Sequence, residues 1–334
     1  HPPAAVRAGQ RVRLDQPASA GWVRFSPALK IRSTMRMIGV VTSGATAPTP
    51  DGLDGVCRSG WKNEEVLGLL HPLAAGPREH EAFVESVTGM RLVWVPGGQF
   101  NMGSKDLDAD SRPVHPVRLN QYWIGETPVT NRQYEIFLRA RPQQRKPARW
   151  NHPDYSDPEQ PVIAVQWDDA MAFCAWLSEA TGLQVDLPSE AQWEFAARGL
   201  ESRRYPWGDP APDATRACFA QKKPAPVGRY PAGRGPFGTL DQAGNVWEWC
   251  KDVWDAGAYK TKVHRGAPLN PLVESGRMDF RCVRGGSFRE TEEEAAKWLA
   301  AAFRLRFWHD FVSGVVVGSG FRVVVVAAGR PSRA

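Results

Sequence analysis

The chain has 334 residues, enough for one large domain or two modest ones. Hydrophobic residues make up 42% and charged residues 23%, a balance that excludes wholesale disorder. The net charge of +6 is spread over scattered basic residues, and no apolar run approaches the ~20 residues of a membrane-spanning helix. We therefore predict a protein with neither a nucleic-acid partner nor a membrane partner.

Residues 1–88 differ from the rest in their residue pattern and are predicted to form an N-terminal extension or a small accessory domain. A strand-like apolar run at 35–41 precedes a Pro/Gly/Thr/Asp-rich linker at 44–55, and two short helices are predicted at 63–70 and 79–87. The N-terminal sequence lacks the basic and apolar regions of a signal peptide. This pattern predicts a cytoplasmic protein or one associated with a phage or a surface.

Residues 89–330 are predicted to form one α+β domain with short strands, two or three helices and large irregular loops. Capping residues followed by apolar side chains at helical spacing predict helices at 130–138, 168–181 and 189–198. A further helix is predicted at 290–302. Strands are predicted at 92–95, 122–124, 315–317 and 321–326.

The cysteines are odd in number and none stands in a C-x-x-C or a Cys/His ligand pattern. Their neighbours are apolar or aromatic, which favours buried, reduced thiols and a reducing compartment. The five are Cys57, Cys174, Cys218, Cys250 and Cys282.

Eight short motifs occur in a fixed order along the second domain. They read VWVPGGQFNMGS (93–104), TPVTNRQYEIFL (127–138), PVIAVQWDDAMAFCAWL (161–177), LPSEAQWEFAARG (187–199), YPWGD (205–209), GNVWEW (244–249), VRGGSF (283–288) and GFRVV (320–324). Together they resemble the formylglycine-generating-enzyme, or sulfatase-modifying-factor, family. The resemblance implies a C-type-lectin-like fold over residues 89–330.

The resemblance also implies a structural Ca²⁺ site in the loop before GNVWEW. Asp241 and Glu248 would supply side-chain oxygens, and Gly244 and Val246 backbone carbonyls, which is the hard oxygen set that Ca²⁺ prefers. The alternative is a capped turn whose carboxylates pair with a nearby arginine. A second calcium position in relatives falls near Cys218, where sulfur replaces a hard oxygen.

Enzymes of this family use two cysteines that follow the GGS motif, bind copper and activate oxygen. At the corresponding positions this chain has Glu290 and about Ala295, which supply no soft thiolate. The related iron-dependent sulfoxide synthases need a His-x-x-x-His-x-Glu pattern that is missing from the N-terminal segment. We therefore expect no copper and no catalysis.

The stretch between GGSF and GFRVV is rich in apolar and aromatic residues, where the family normally has polar loops. If exposed, it forms a ligand-binding surface. If its first part is a strand of the core, then Phe303, Leu305 and Phe307 are buried and Arg304 and Arg306 face outward. The predicted ligand-binding residues are Phe303, Leu305, Phe307, Trp308, His309, Asp310, Phe311, Val312, Ser313, Val315 and Val316.

This arrangement resembles the variable proteins of diversity-generating retroelements, which share the fold, end in GFRVV-like sequence and carry a hypervariable stretch before it. The resemblance implies a variable region at about 287–326 that binds a protein ligand without catalysis. Two other hypotheses stay open. One is a divergent oxidase with another metal arrangement, and the other is a structural relative with one fixed partner.

Overall fold

The computed structural model of the chain divides into two units, 1–76 and 77–334. In the first unit it describes only the backbone of four short strands. In the second it describes residues 81–263, 266–276, 280–309 and 317–326. Within these described residues no helix combines the length and the apolar character needed to cross a bilayer.

The first unit contains two antiparallel strand pairs. One pair is β1 (Val12–Arg13) with β2 (Trp22–Val23), and the other is β3 (Gly44–Pro48) with β4 (Asp54–Arg58). The second pair occupies most of the stretch predicted to be a linker, so that prediction was wrong. Gly44 and Pro48 are the first and last residues of β3, where they do not interrupt the hydrogen-bonded ladder. The predicted strand at 35–41 and the predicted helix at 63–70 lie outside the described residues.

The second unit has an α+β architecture of small sheets and five described helices, which confirms the predicted fold class. Its strands are β5 (Phe83–Val84), β6 (Arg91–Val95), β7 (Gly98–Met102), β8 (His115–Leu119), β9 (Tyr122–Gly125), β10 (Gln184–Asp186), β11 (Trp247–Val253), β12 (Phe280–Arg284), β13 (Leu305–Trp308), β14 (Ser319–Gly320) and β15 (Val324–Val326). Its helices are α1 (Asn131–Ala140), α2 (Trp167–Thr181), α3 (Glu190–Arg198), α4 (Ala258–Val263) and α5 (Glu292–Trp298).

Two sheets organise the unit. The larger is antiparallel, in the order β10-β15-β9-β6-β5. The smaller runs β13-β12-β11-β14, with only the β11–β14 pair parallel, and β7 pairs separately with β8. Strand β13 is therefore an edge strand, and the chain leaves it directly for residues 310–316 before returning at β14.

The three helices predicted from capping patterns are confirmed. Thr130 and Ser189 each form a capping box with the glutamine three residues later, which satisfies backbone donors at the starts of α1 and α3. Gly182 ends α2 with φ +74°, a left-handed conformation that costs glycine little. Helix α5 is shorter than the predicted 290–302.

The segment 79–87 is not the predicted helix. Phe83–Val84 pairs with β6, and the Glu85 carboxylate accepts backbone hydrogen bonds from Val87, Thr88 and Met90. The carboxylate therefore closes a turn, and local side chain–backbone hydrogen bonds compete with helix formation. The C-terminal domain consequently begins before residue 88, where the sequence placed its boundary.

Buried ion pairs join α3 to the smaller sheet. Arg284, which has no exposed surface, donates from Nε to Glu190 and from Nη1 to Glu194, both at 3.0 Å. Arg304 donates to Glu190 at 2.6 and 2.9 Å, and Arg284 Nη2 reaches the Tyr259 hydroxyl at 2.8 Å. The core-strand alternative placed Arg304 on the outside, but it is only 3% exposed, since two hydrogen bonds to Glu190 hold it in the interior.

A second buried ion pair joins the GFRVV and GNVWEW motifs. Arg322 binds both oxygens of Glu248, at 2.5 and 2.7 Å, and neither side chain has exposed surface. The Trp193 indole donates to the same carboxylate at 2.7 Å, and Arg322 also donates to the carbonyls of Gly125 and Leu240. The bidentate geometry and the extra hydrogen bonds satisfy charges that are costly to bury.

We predict that Arg322→Met lowers the free energy of unfolding by about 3–5 kcal/mol, because it leaves the Glu248 carboxylate buried and unpaired. Chemical denaturation followed by tryptophan fluorescence measures this change. Arg139→Met is the control, since its ion pair with Glu135 is largely exposed and should contribute about 1 kcal/mol or less. A loss under about 1 kcal/mol for Arg322→Met would contradict the structural role of the pair.

Candidate functional site

Glu290, where the resemblance implies the first catalytic cysteine of the family, is a buried residue. Glu290 is 4% exposed, and its Oε1 accepts from the Trp247 indole at 2.9 Å, the Ser287 hydroxyl at 2.9 Å and the Ser287 amide at 3.2 Å. Burial raises the pKa of Glu290, although these hydrogen bonds oppose the shift. Ala295, near the second cysteine position, lies buried in α5.

The cysteines that the structure describes offer no substitute pair. Cys174, Cys218, Cys250 and Cys282 are all free and buried, which confirms the predicted reduced thiols for these four. Burial raises the pKa of each, which disfavours the thiolate that copper binding and redox chemistry require. The side chain of Cys57 lies outside the described residues.

Glu290 ties both ends of the apolar stretch to the scaffold. On one side, the Trp247 ring that it holds meets the Phe307 ring edge-on, with centroids 6.1 Å apart. On the other side, the Trp247 amide donates to the Gly318 carbonyl at 2.8 Å. Gly318 also lies against Ser287, because a Cβ on Gly318 would come within 2.9 Å of the Ser287 side chain. The glutamate thus fixes the points where 310–316 leaves and rejoins the scaffold.

The structure divides the predicted ligand-binding residues. Phe303 is 4% exposed and packs in the core, so the core alternative is correct for this residue, which is held between Trp247 and Trp298. Leu305 and Phe307 are half-buried, because they lie on the face of β13 that covers the core. Outside the described residues lie Asp310, Phe311, Val312, Ser313, Val315 and Val316, and their exposure stays a prediction.

Trp308 and His309 reach the surface at the end of β13. Trp308 is 40% exposed. The His309 side chain lies 3.1 Å from the Asp168 carboxylate at the start of α2, and the Trp167 amide donates to the His309 carbonyl at 3.2 Å. The beginning of the 310–316 segment is therefore anchored to the N-terminus of a helix.

Sequence reasoning missed the partners that surround this end of β13. The Arg281 guanidinium lies 3.7 Å from the centre of the Trp167 ring, and the Phe280 ring lies 4.1 Å from that of Trp308. Arg306 lies on the same face as Trp308. These neighbours come from β12 and α2, so no spacing along β13 could have indicated them.

An arginine engages one of the predicted calcium ligands. Both Glu248 oxygens are engaged by Arg322, so a guanidinium already supplies the cationic partner and the donor set does not fit a Ca²⁺ ion at this carboxylate. Asp241 instead accepts from the Gly228 amide at 2.6 Å, and Gly244 packs against the Cys218 backbone. No cluster of three or more His, Cys, Asp or Glu side chains able to hold a metal occurs among the described residues. The geometry favours the arginine alternative at Glu248, and calcium stays a prediction.

Asp241 predicts a pH dependence. Burial raises its pKa from 3.8 to about 6, although the Gly228 hydrogen bond opposes the shift. Between about pH 4 and pH 6 the folded state holds this proton more tightly than the unfolded state, so ionisation destabilises the fold as pH rises. Asp241→Asn should therefore raise the free energy of unfolding by about 2–3 kcal/mol at pH 7 and by under about 1 kcal/mol at pH 4.

Urea titrations at the two pH values measure this difference. An Asn variant that is less stable than the wild type at pH 7 would contradict the assignment. Added Ca²⁺ should raise the wild-type melting temperature no more than Mg²⁺ does. A rise specific to Ca²⁺, and lost in Asp241→Asn, would support the calcium prediction instead.

Glu290→Ala should loosen the anchoring of the 310–316 segment without unfolding the domain. It leaves the Trp247 indole and the Ser287 hydroxyl unsatisfied, at about 1–3 kcal/mol each. Hydrogen exchange at the Trp247 amide, which donates to Gly318, should accelerate about tenfold or more, while amides of β9 keep their rates. Glu293→Ala, an exposed change in α5, is the control. Unchanged exchange at Trp247 would contradict the anchoring role.

Comparisons with known proteins agree with the fold. A family model described as the sulfatase-modifying factor enzyme 1-like domain matches residues 79–327. The formylglycine-generating enzyme of Streptomyces coelicolor is 32% identical over 69% of this chain and 88% of its own length. The inactive Cα-formylglycine-generating enzyme 2 of Bos taurus is 28% identical over 59% of this chain and 88% of its own length. The serine/threonine-protein kinase pkn1 of Chlamydia caviae is 30% identical over 61% of this chain, but the match covers only 34% of the kinase.

Solved structures share the fold at low sequence identity. PvdO from Pseudomonas aeruginosa aligns with a TM-score of 0.62 and 23% identity, over 75% of this chain and 99% of its own. Variable protein 1 of Treponema denticola aligns with a TM-score of 0.58 and 22% identity, over 73% and 98%. With the motifs, the sheets and the family match in agreement, the chain belongs to the formylglycine-generating-enzyme, or sulfatase-modifying-factor, family.

Proposed function

We propose that this chain is a non-catalytic binding protein that presents a variable surface on a C-type-lectin-like scaffold, as the variable proteins of diversity-generating retroelements do. The observation that carries the proposal is the position of Glu290. A buried carboxylate with three hydrogen-bond donors stands where an oxidase of this family needs a soft, redox-active thiolate. The glutamate serves to hold structure, because it is buried and accepts hydrogen bonds from Trp247 and Ser287.

The end of β13 supports a binding role. Trp308 is among the few large apolar side chains of the described residues that are substantially exposed, and it stands directly before the apolar segment 310–316. Exposed aromatic and apolar clusters mark interaction sites on soluble proteins. An aromatic surface with few polar side chains fits a protein ligand better than a carbohydrate, which needs several polar partners. The similarity of fold to the Treponema denticola variable protein is in keeping with this proposal.

The Streptomyces relative supports the alternative hypothesis of a divergent oxidase, since it is named as an enzyme and matches most of this domain. The bovine relative is named as inactive, so the family also holds members without that activity. A divergent oxidase would need a metal site built from other residues. The alternative of one fixed partner would instead make the 310–316 segment a constant interface.

We predict that the wild-type chain binds no stoichiometric Cu(I) and does not oxidise a cysteine-containing peptide in the presence of copper and oxygen. The four described thiols are buried with raised pKa values, so they do not supply thiolate ligands. The Streptomyces coelicolor enzyme serves as the active control in the same assay. Copper-dependent turnover by the wild-type chain would contradict the proposal.

The genome separates the variable-surface proposal from a fixed partner. Retroelement diversification requires a neighbouring reverse transcriptase and an adenine-rich near-repeat of the sequence that encodes the variable region. Sequencing of the locus in several isolates should also show substitutions concentrated in codons of 309–316, with Phe303 and Arg304 constant because they are buried. Identical codons across isolates and no such neighbour would favour the fixed-partner function.

A further inference from the structure

The face of β13 that carries Arg306 and Trp308 passes from the core to the surface. Side chains of a strand alternate between its faces, so Arg306 and Trp308 share one face of β13, and Arg304 immediately precedes the strand. Arg304 is 3% exposed, whereas the side chain of Arg306 is 46% exposed and Trp308 is 40% exposed. The outer two residues of this row are therefore available to a partner.

Trp308 does not stand alone on this surface. Its ring centre lies 4.1 Å from that of Phe280, which is directly opposite it on β12. Cross-strand aromatic pairs restrict each other's rotamers. The pair thus offers a preorganised apolar platform, and preorganisation lowers the entropic cost of binding.

Arg306 lies between aromatic rings next to this platform. Its guanidinium carbon is 5.4 Å from the centre of the Phe280 ring and 5.3 Å from that of Trp254. The nearest acidic partner, Asp110, is at 4.0 Å, the outer limit for an ion pair. Arg304, immediately before β13, instead makes two bonds under 3 Å to Glu190. Arg306 is held in place, but its donors are only weakly engaged.

We propose that Phe280, Arg306 and Trp308 form a fixed docking patch for an acidic segment of a protein ligand, beside the variable segment. This inference rests on the proposed binding function. A ligand carboxylate would accept a bidentate hydrogen bond from Arg306, and a neighbouring apolar or aromatic side chain would cover the Phe280–Trp308 pair. Trp and Arg are the residue types most enriched among binding hot spots.

A protein segment fits this patch better than a nucleic acid. A phosphate backbone needs a track of basic side chains, whereas the patch as defined holds Arg306 alone. A single guanidinium beside two aromatic rings instead matches one carboxylate next to one apolar group. The expected dependence on salt is accordingly shallow.

Selection of a random linear peptide library on the immobilised full-length wild-type chain tests the patch. Enriched peptides should carry Asp or Glu next to an aromatic or large aliphatic residue. Arg306→Glu and Trp308→Ala should each weaken binding of these peptides about tenfold or more, and Arg306→Lys should fall between. Arg139→Glu makes the same charge change on α1 and should stay within about twofold. Melting temperatures verify that each variant is folded.

Three results would overturn the patch: no enriched peptide, enriched peptides without an acidic bias, or acidic peptides that bind Arg306→Glu as well as the wild type. Preferential binding of single-stranded DNA over the peptides, lost in Arg306→Glu, would also overturn it in favour of a nucleic-acid partner. The copper and peptide-oxidation assay is independent of this selection. If the chain shows no oxidase activity and enriches peptides that bind through other residues, the patch is refuted but the binding function is not.

Discussion

Arginine side chains with almost no exposed surface lie in the interior of the C-terminal domain, and glutamates neutralise them there. Arg284 and Arg304 bind the carboxylates of α3, and Arg322 binds Glu248. Each charge would be costly in an apolar interior if left alone. Each therefore requires its partner in place, and the partners come from segments far apart in the chain. These pairs join α3 to the VRGGSF motif and the GNVWEW motif to the GFRVV motif. The Trp193 indole, which donates to Glu248, connects α3 to the second pair.

The buried ion pairs also determine which strands of the domain are held in place. The ion pairs and Glu290 fix β12, β13 and the residues on either side of 310–316. If residues 310–316 are exposed, as predicted, their side chains can change at little cost, since surface substitutions usually alter stability by under ~0.5 kcal/mol. In the proposed function Glu290 has two roles: it stands where the oxidases would need a thiolate, and it supplies a buried hydrogen-bond acceptor for Trp247 and Ser287.

Local patterns along the chain predicted the local elements. The caps at Thr130 and Ser189 and the glycine after α2 gave their helices, and the motif order gave the fold class. What the patterns could not show depended on contacts between distant segments. They gave no sign that Arg322 reaches Glu248, so calcium and an arginine partner both stayed open there. The core alternative placed Arg304 outside, because alternation along a strand does not reveal the α3 glutamate that holds it in the interior. Phe280 was missed because it meets Trp308 only through the register of β12 and β13.

A domain held by buried ion pairs should tolerate sequence change at residues 309–316. The measurement is the protease resistance of the displayed protein in two saturation libraries, one at residues 309–316 and one at Arg284, Arg304 and Arg322. Most substitutions in the first library should keep wild-type resistance, and most in the second should lose it. Equal loss in both libraries would mean that residues 309–316 are part of the core and would rule out a variable surface there.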